Sequence, residues 1–420
     1  MNSYVKTFLR GSAISMSGAV ALGIMNYFVR RIMCNSMSLS DYGVFYSTFA
    51  LLLMVFGFTD LGMTQSGTVM IASTAEEPQK RDVIFSQLFF IKGGLALICA
   101  VGVLIFFRIS QPDLDLCFTL SILIYFICQT VNGTLHALWG GLKQYTLQQA
   151  AYCLVALLTL IPLFIISKIN LRVASYCFLF ASAATMIFSL LYSKHRRLGI
   201  LQFHLDKDVC QKLMMTGGII AITTTLLSVM YNISTIMLHA LRGAESAGLY
   251  NVALPIMQIV QAAMVFPAVF LPIAVEMGKK EEYQKLKSFV RSAAILAFIA
   301  LLPTGIFFHY CSPWLIRILF KPEYTDAAMA TTLLCLGLVF FTLGSFLFEI
   351  MLSLQKVVIM AVIAGLTTAC NLILNYFLIK RFGVNGAAGA TCASFFVFAF
   401  LTYIVLEYNL KKLKSFKEAA

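Results

Sequence analysis

Charge is scarce in this 420-residue chain, of which only 12% is Asp, Glu, Lys or Arg while 60% is hydrophobic. An ordinary soluble domain carries about 25% charged residues and 45 to 50% apolar ones. A water-soluble fold cannot hide that much apolar surface, so the bilayer is the expected solvent for most of the chain. Acids are scarcer than bases, with 18 against 31 and a net charge of +13. The bases stand in short clusters beside apolar runs, which is the pattern of membrane topology rather than of a nucleic-acid surface. The 11 cysteines include no CxxC pair and no metal-type spacing. They read as small apolar packing residues, and no metal site is expected. Also missing are a P-loop, an HExxH, a GxSxG and paired acids in a loop facing water. Hydrolytic or ATP-driven chemistry therefore has no visible machinery and no cofactor is expected; a primary pump would need a separate ATPase subunit.

What the chain does have is long apolar runs. A hydrocarbon core about 30 Å thick needs roughly 20 apolar residues per helix. Twelve such spans begin near positions 11, 43, 83, 117, 146, 171, 213, 246, 290, 329, 357 and 385. Strand-based spanning would show alternating polarity over roughly ten residues, whereas runs such as L-A-L-I-C-A-V-G-V-L-I-F-F do not alternate. Helices also satisfy the backbone inside lipid. The stretch from Ala13 to Phe28 leads into Arg30 and Arg31 with no small-residue cleavage site. It reads as a retained first helix.

An even number of spans puts both termini on one side. Alternate connections, including those holding Lys80, Arg81, Lys279, Lys280 and the tail Lys411 to Lys417, carry about twice as many Lys and Arg as the others. Both termini are expected in the cytoplasm. The polar segment 194–212 reads as a cytoplasmic linker between a six-helix lobe at 1–193 and a second at 213–420, which ends in a basic cytoplasmic tail. A short internal match supports two repeats: S-D-Y-G-V-F-Y resembles E-S-A-G-L-Y-N, pairing Gly43 with Gly248 and Phe45 with Tyr250. The expected fold is an all-α membrane protein of twelve transmembrane helices in two six-helix lobes around a central cavity.

Ionisable groups at membrane depth cost roughly 2.5 to 3.5 kcal/mol at a helix centre, so each is a functional candidate. Lys92 lies about nine residues into the third span, within F-F-I-K-G-G-L. It either binds substrate or snorkels to headgroups. Arg30, Arg31 and Arg242 stand at the outer ends of the first and seventh spans. They form a cationic mouth for phosphate or anchor to headgroups. Asp60, in G-F-T-D-L-G-M, is the carboxylate of the first half placed far from a helix end. It pairs with a cation such as Lys92, bonds to a broken helix or takes a coupling proton. Glu349 is a weaker ion-coupling or structural candidate near a cytoplasmic end. Pro255 and Pro267, in or beside the eighth span, either form a hinge or reflect the general frequency of proline in membrane helices.

Several motifs in order resemble the Wzx-type polysaccharide flippases, the O-antigen and capsule translocases of the multidrug/oligosaccharidyl-lipid/polysaccharide exporter superfamily. They are S-L-S-D-Y-G-V-F-Y at Ser38 to Tyr46, F-T-D-L-G-M at Phe58 to Met63, A-G-L-Y-N-V-A at Ala247 to Ala253, and N-L-I-L-N-Y-F-L-I followed by G-V-N-G-A-A-G-A. The resemblance implies flipping of an undecaprenyl-diphosphate-linked oligosaccharide across the bacterial cytoplasmic membrane by alternating access, for lipopolysaccharide or capsule assembly. It implies no enzyme activity. The partners it brings are the lipid-linked oligosaccharide, membrane lipids, a proton or sodium ion where the step is coupled, and other polysaccharide-assembly proteins. Relatives often carry an acid in the seventh span where this chain has Ser234. Two alternatives stand beside this reading: a cation-coupled multidrug exporter of the same superfamily, and a membrane-embedded glycan polymerase or glycosyltransferase.

Overall fold

In a computed structural model the structure describes residues 3–202, 206–263, 274, 276–278, 280 and 282–419. Among them it is helical throughout, with no strand: α1 Ser3–Ser36, α2 Leu39–Asp60, α3 Met63–Ser73, α4 Pro78–Ser110, α5 Leu116–Gly141, α6 Tyr145–Ile165, α7 Leu171–His195, α8 Lys207–Arg242, α9 Ala244–Ala263, α10 Tyr283–Leu319, a 3-10 turn Pro322–Ala327, α11 Ala328–Ser353 and α12 Val357–Ala419. Nine helices among the described residues are long and apolar enough to cross a membrane. The last is split at Gly383, whose φ of 57° and ψ of −128° no L side chain adopts comfortably. Counted as two arms, it brings the spans among the described residues to ten. Large apolar side chains point outward, with Ile98 70%, Ile109 76% and Phe164 80% exposed. On a soluble protein such a surface would be an aggregation liability; on this one it faces acyl chains.

Two compact units form, Met1–Ser38 with Leu51–Thr225, and Leu39–Ala50 with Leu226–Ala420. The boundary falls inside α8 and inside α2, whereas the sequence suggested a linker at 194–212. Part of that segment is strapped onto the first unit, because Arg81 donates to the Arg197 carbonyl at 3.0 Å and the Gln202 N–H donates to Ser86 Oγ at 2.8 Å.

In the first unit α3, α4 and α5 pack around Phe85, Leu88, Leu138 and Trp139. The start of α5 is fixed from outside the spans. Asp115 accepts the Phe118 N–H as an N-cap and holds the Arg172 guanidinium through two 2.7 Å bonds. The Arg172 hydrogen bonds, chiefly, hold the Asp115 carboxyl below its ordinary range. A carboxylate with a depressed folded-state value contributes stability at neutral pH and loses it as pH falls through that value. Asp115→Asn should therefore flatten the acid limb of a pH series of melting temperatures below about pH 4. An unchanged acid limb would show that the pair contributes nothing.

In the second unit α11 is sandwiched between α10 and α12, over Phe346, Phe348, Phe398 and Leu406. The glycines matched by the internal repeat meet each other here. A Cβ on Gly43 would stand 1.8 Å from the Ala244 carbonyl oxygen and 2.8 Å from the Gly248 nitrogen; one on Gly248 would stand 2.4 Å from the Leu39 carbonyl oxygen. The first turns of α2 and α9 thus touch backbone to backbone, and beside them the Tyr42 hydroxyl donates to the Asn251 carbonyl.

Candidate functional site

Lys92 lies fourteen residues into the 33-residue α4, close to its middle. Its side chain is 0% exposed and Nζ does not snorkel. It donates to Asp60 Oδ1 at 2.5 Å and to Thr64 Oγ1 at 2.6 Å, and Thr64 in turn donates to Asp60. Such a buried cation is tolerable only because its counter-charge and hydrogen-bond acceptors are in place.

Asp60 is not where the sequence put it. The expectation of a carboxylate far from a helix end is corrected: Asp60 is the last residue of α2. The chain turns there through Leu61 and Gly62, with φ of 42° and 68°, before α3 begins. Two left-handed residues in succession cannot continue an α-helix, so the second span is discontinuous. Asp60 then sits beside the amino end of α3, where the helix dipole favours an anion and where Thr64 occupies the first turn. Asp60 pairs with Lys92 and accepts from the Thr64 hydroxyl, while no side chain caps the backbone at the amino end of α3.

Around the pair, Phe56 lies one turn before Asp60 with its ring centroid 5.8 Å from Nζ. Gly133 on α5 leaves room for the ammonium, since a Cβ there would come within 3.3 Å of Nζ. One turn further along α5, His136 is 7% exposed, lies within electrostatic reach of Lys92 and stacks on Tyr152 at 3.8 Å. Its Nδ1 is buried and has no hydrogen-bond partner.

A second polar centre lies inside the other unit and is uncharged. Asn375 donates to Ser234 Oγ and to Asn371 Oδ1, each at 3.0 Å; Ser234 and Thr391 share a 2.9 Å bond; Asn371 donates to Ser394; and Tyr250 meets Thr391 at 3.2 Å. All six are buried. Ser234 is bonded into this neutral group.

Three comparisons bear on the family and the fold. The family model described as polysaccharide biosynthesis protein matches residues 8–278. The chain belongs to that family. An uncharacterized membrane protein of Methanocaldococcus jannaschii is 24% identical over 94% of this chain and 83% of its own length. Among solved structures, the fold is similar to the inward-facing conformation of a multidrug resistance MATE family transporter of the MOP superfamily, with TM-score 0.73 and 13% identity over 96% of this chain and 99% of that one. It is also similar to a MOP superfamily transporter from Pyrococcus furiosus whose binding pocket is described as reversed in polarity, with TM-score 0.67 and 15% identity over 97% and 96% of the two chains. At such identities the likeness is one of fold.

The match to the polysaccharide biosynthesis family takes in Arg30, Arg31, Asp60, Lys92, Arg242, Pro255 and Pro267, and leaves Glu349 outside. Arg30 and Arg31 are half-buried near the carboxyl end of α1 in the first unit, with Arg31 beside Tyr27. Arg242 ends α8 in the second unit. Its guanidinium donates to the carbonyls of Ile379 and Lys380, closing the first arm of α12 before the break at Gly383. Glu349 is exposed one turn before the end of α11. Pro255 lies inside α9, and Pro267 falls outside the described residues. Of the candidates, the structure brings Lys92 and Asp60 together. Thr64 went unnoticed in the sequence, although a hydroxyl four residues after an acid across an L-G turn was a visible signal. The neutral centre was also missed, and its signal was the Asn371/Asn375 pair at i, i+4 in an apolar run.

Proposed function

We propose that this chain translocates an oligosaccharide linked to a polyprenyl diphosphate, of the undecaprenyl class, from the cytoplasmic to the outer leaflet of the bacterial cytoplasmic membrane. The observation that carries the reading is the polysaccharide biosynthesis family match across 8–278 on a fold similar to MOP superfamily transporters. The step is movement by alternating access, not covalent chemistry, and both termini lie in the cytoplasm. Each unit offers its own cations to the diphosphate: Arg30, Arg31 and Lys92 in the first, where Lys92 must first give up Asp60, and Arg242 in the second. The prenyl tail stays in lipid. Membrane lipids and other polysaccharide-assembly proteins are the surrounding partners, in O-antigen or capsule assembly.

The test is deletion of the gene in a strain without a redundant flippase. Lipid-linked oligosaccharide should accumulate on the inner leaflet, and its mass spectrum should match the repeating unit lost from the surface. Full-length glycan at the surface of the deletion strain would overturn the reading. Vesicles that instead expel a lipophilic cation in exchange for protons, with no effect on glycan, would establish the multidrug exporter.

A further inference from the structure

The ammonium of Lys92 has its counter-charge already in place, so a diphosphate cannot simply bind to it. The two members of the pair differ in access: the Lys92 side chain is 0% exposed, while that of Asp60 is 20% exposed. Whatever exchanges at this site exchanges on the carboxylate side. Asp60 is also the more movable partner, because it ends α2 at the Leu61–Gly62 turn and can swing without disrupting a helical turn beyond it. Lys92 is fixed mid-helix.

We infer that the Lys92–Asp60 pair is an exchange site in which a phosphate-class anion takes the place of the Asp60 carboxylate on the Lys92 ammonium and on Thr64, while Asp60 takes up one proton from the aqueous side. This deepens the proposed function and rests on it. The donors suit the exchange. Lys92 Nζ and Thr64 Oγ1 stand 2.6 Å apart and converge on one carboxylate oxygen. A phosphoryl oxygen can accept from both, with the Thr64 hydroxyl donating to the incoming group as it now donates to Asp60.

The charge arithmetic supplies the proton. The resting pair is neutral. If an anion displaced an ionised Asp60, two negative groups would share one buried cation, with the carboxylate stripped of its partner in an apolar surround. Adding a proton to the carboxylate restores one cation to one anion. Among the described residues, the one charge acting on the Lys92 ammonium is that of Asp60. The helix α2 presents Phe56, α3 presents Thr64, and α5 presents Gly133 and His136, with Tyr152 of α6 stacked on the imidazole. His136 is the competing proton acceptor, with its buried Nδ1 unpartnered. A proton on it would set a second cation beside Lys92, whereas a proton on Asp60 removes a displaced anion. The exchange therefore runs through Asp60. By linkage, falling pH tightens anion binding and anion binding draws in a proton.

The experiment uses the full chain in lipid nanodiscs and two probes, farnesyl sulfate and farnesyl diphosphate. The sulfate keeps its charge between pH 5 and 8, so its affinity reports on the protein alone. Its affinity should rise as pH falls, by up to about tenfold per pH unit for one linked proton. Calorimetry in two buffers of different ionisation enthalpy should count one proton taken up per sulfate bound. Asp60→Asn should bind with the affinity that the unaltered chain reaches at low pH, with no pH slope and no proton uptake. Farnesyl diphosphate should show the same difference between the unaltered chain and Asp60→Asn, superimposed on the titration of its own phosphate.

A pH-independent affinity for the sulfate, or no proton uptake, overturns the exchange without needing any variant to fold. A slope that survives Asp60→Asn, or one abolished by His136→Gln, moves the proton elsewhere and also overturns it. Failure of both probes to bind at any pH overturns the exchange and the proposed substrate class together. Binding without linkage leaves the translocation reading standing.

Discussion

Gly43→Ala will destabilise the protein by more than the ordinary 1 to 3 kcal/mol of an overpacked core. The added Cβ would lie 1.8 Å from the Ala244 carbonyl oxygen, with the Gly248 nitrogen at 2.8 Å behind it. These are backbone atoms and cannot rotate away, so α2 and α9 must part by more than an ångström along their first turns. Parting them loosens the Tyr42 to Asn251 bond and opens the packing of Phe45 and Tyr250, both nearly fully buried. Gly248→Ala should do the same through the Leu39 carbonyl, 2.4 Å from its Cβ. The double variant should cost less than the sum, because one separation of the helices relieves both clashes. Gly93→Ala is the control, as nothing lies within 4 Å of its Cβ and alanine is the better helix former. Thermal unfolding of the detergent-solubilised protein gives the ranking, and a Gly43→Ala melt that matches the unaltered protein would contradict it.

Lys92→Ala should cost about 3 to 5 kcal/mol, because it strands the Asp60 carboxylate beside Thr64 without its cation. Membrane abundance should fall along with glycan display. From the sequence alone one would expect display to fall with abundance near normal; the intimacy of the pair changes that expectation. Lys92→Arg keeps the charge and should be tolerated better, although the larger head must fit against Gly133, where a Cβ would already be 3.3 Å from Nζ. Removing both charges in Lys92→Met with Asp60→Leu should recover most of the stability, since replacing a buried pair by apolar groups is often neutral. Translocation should stay lost. Recovery of abundance and glycan display together would show the pair to be a packing device with no part in binding.

The spans were legible because sustained apolar runs have a single physical outlet. Their ends were less so. The sequence ran the second span through Asp60, yet Leu61 and Gly62 are both left-handed and end α2 there. One glycine after an acid is a weak local signal, and it was outweighed by the apolar run around it. Lys92 was legible as an anomaly, a base inside F-F-I-K-G-G, while its partner was one of several options. Pairing depends on how α2, α3 and α4 pack, and no periodicity reports that. Arg242 reads in sequence as a free cation at a helix end. Its guanidinium is instead engaged with the carbonyls of Ile379 and Lys380, a bond to a segment more than a hundred residues away in the chain. The glycine repeat carried more than its short length suggested, because Gly43 and Gly248 resemble each other in sequence and also touch.

Neither compact unit is a continuous piece of chain, because Leu39–Ala50 packs with Leu226–Ala420. During synthesis that short stretch leaves the ribosome long before α9 exists, and until then the bare face around Gly43 has only lipid or the insertion machinery to cover it. Splitting the gene between α7 and α8 would accordingly yield two fragments that each lack a part of themselves, and assembly would have to await the meeting of both in the same bilayer.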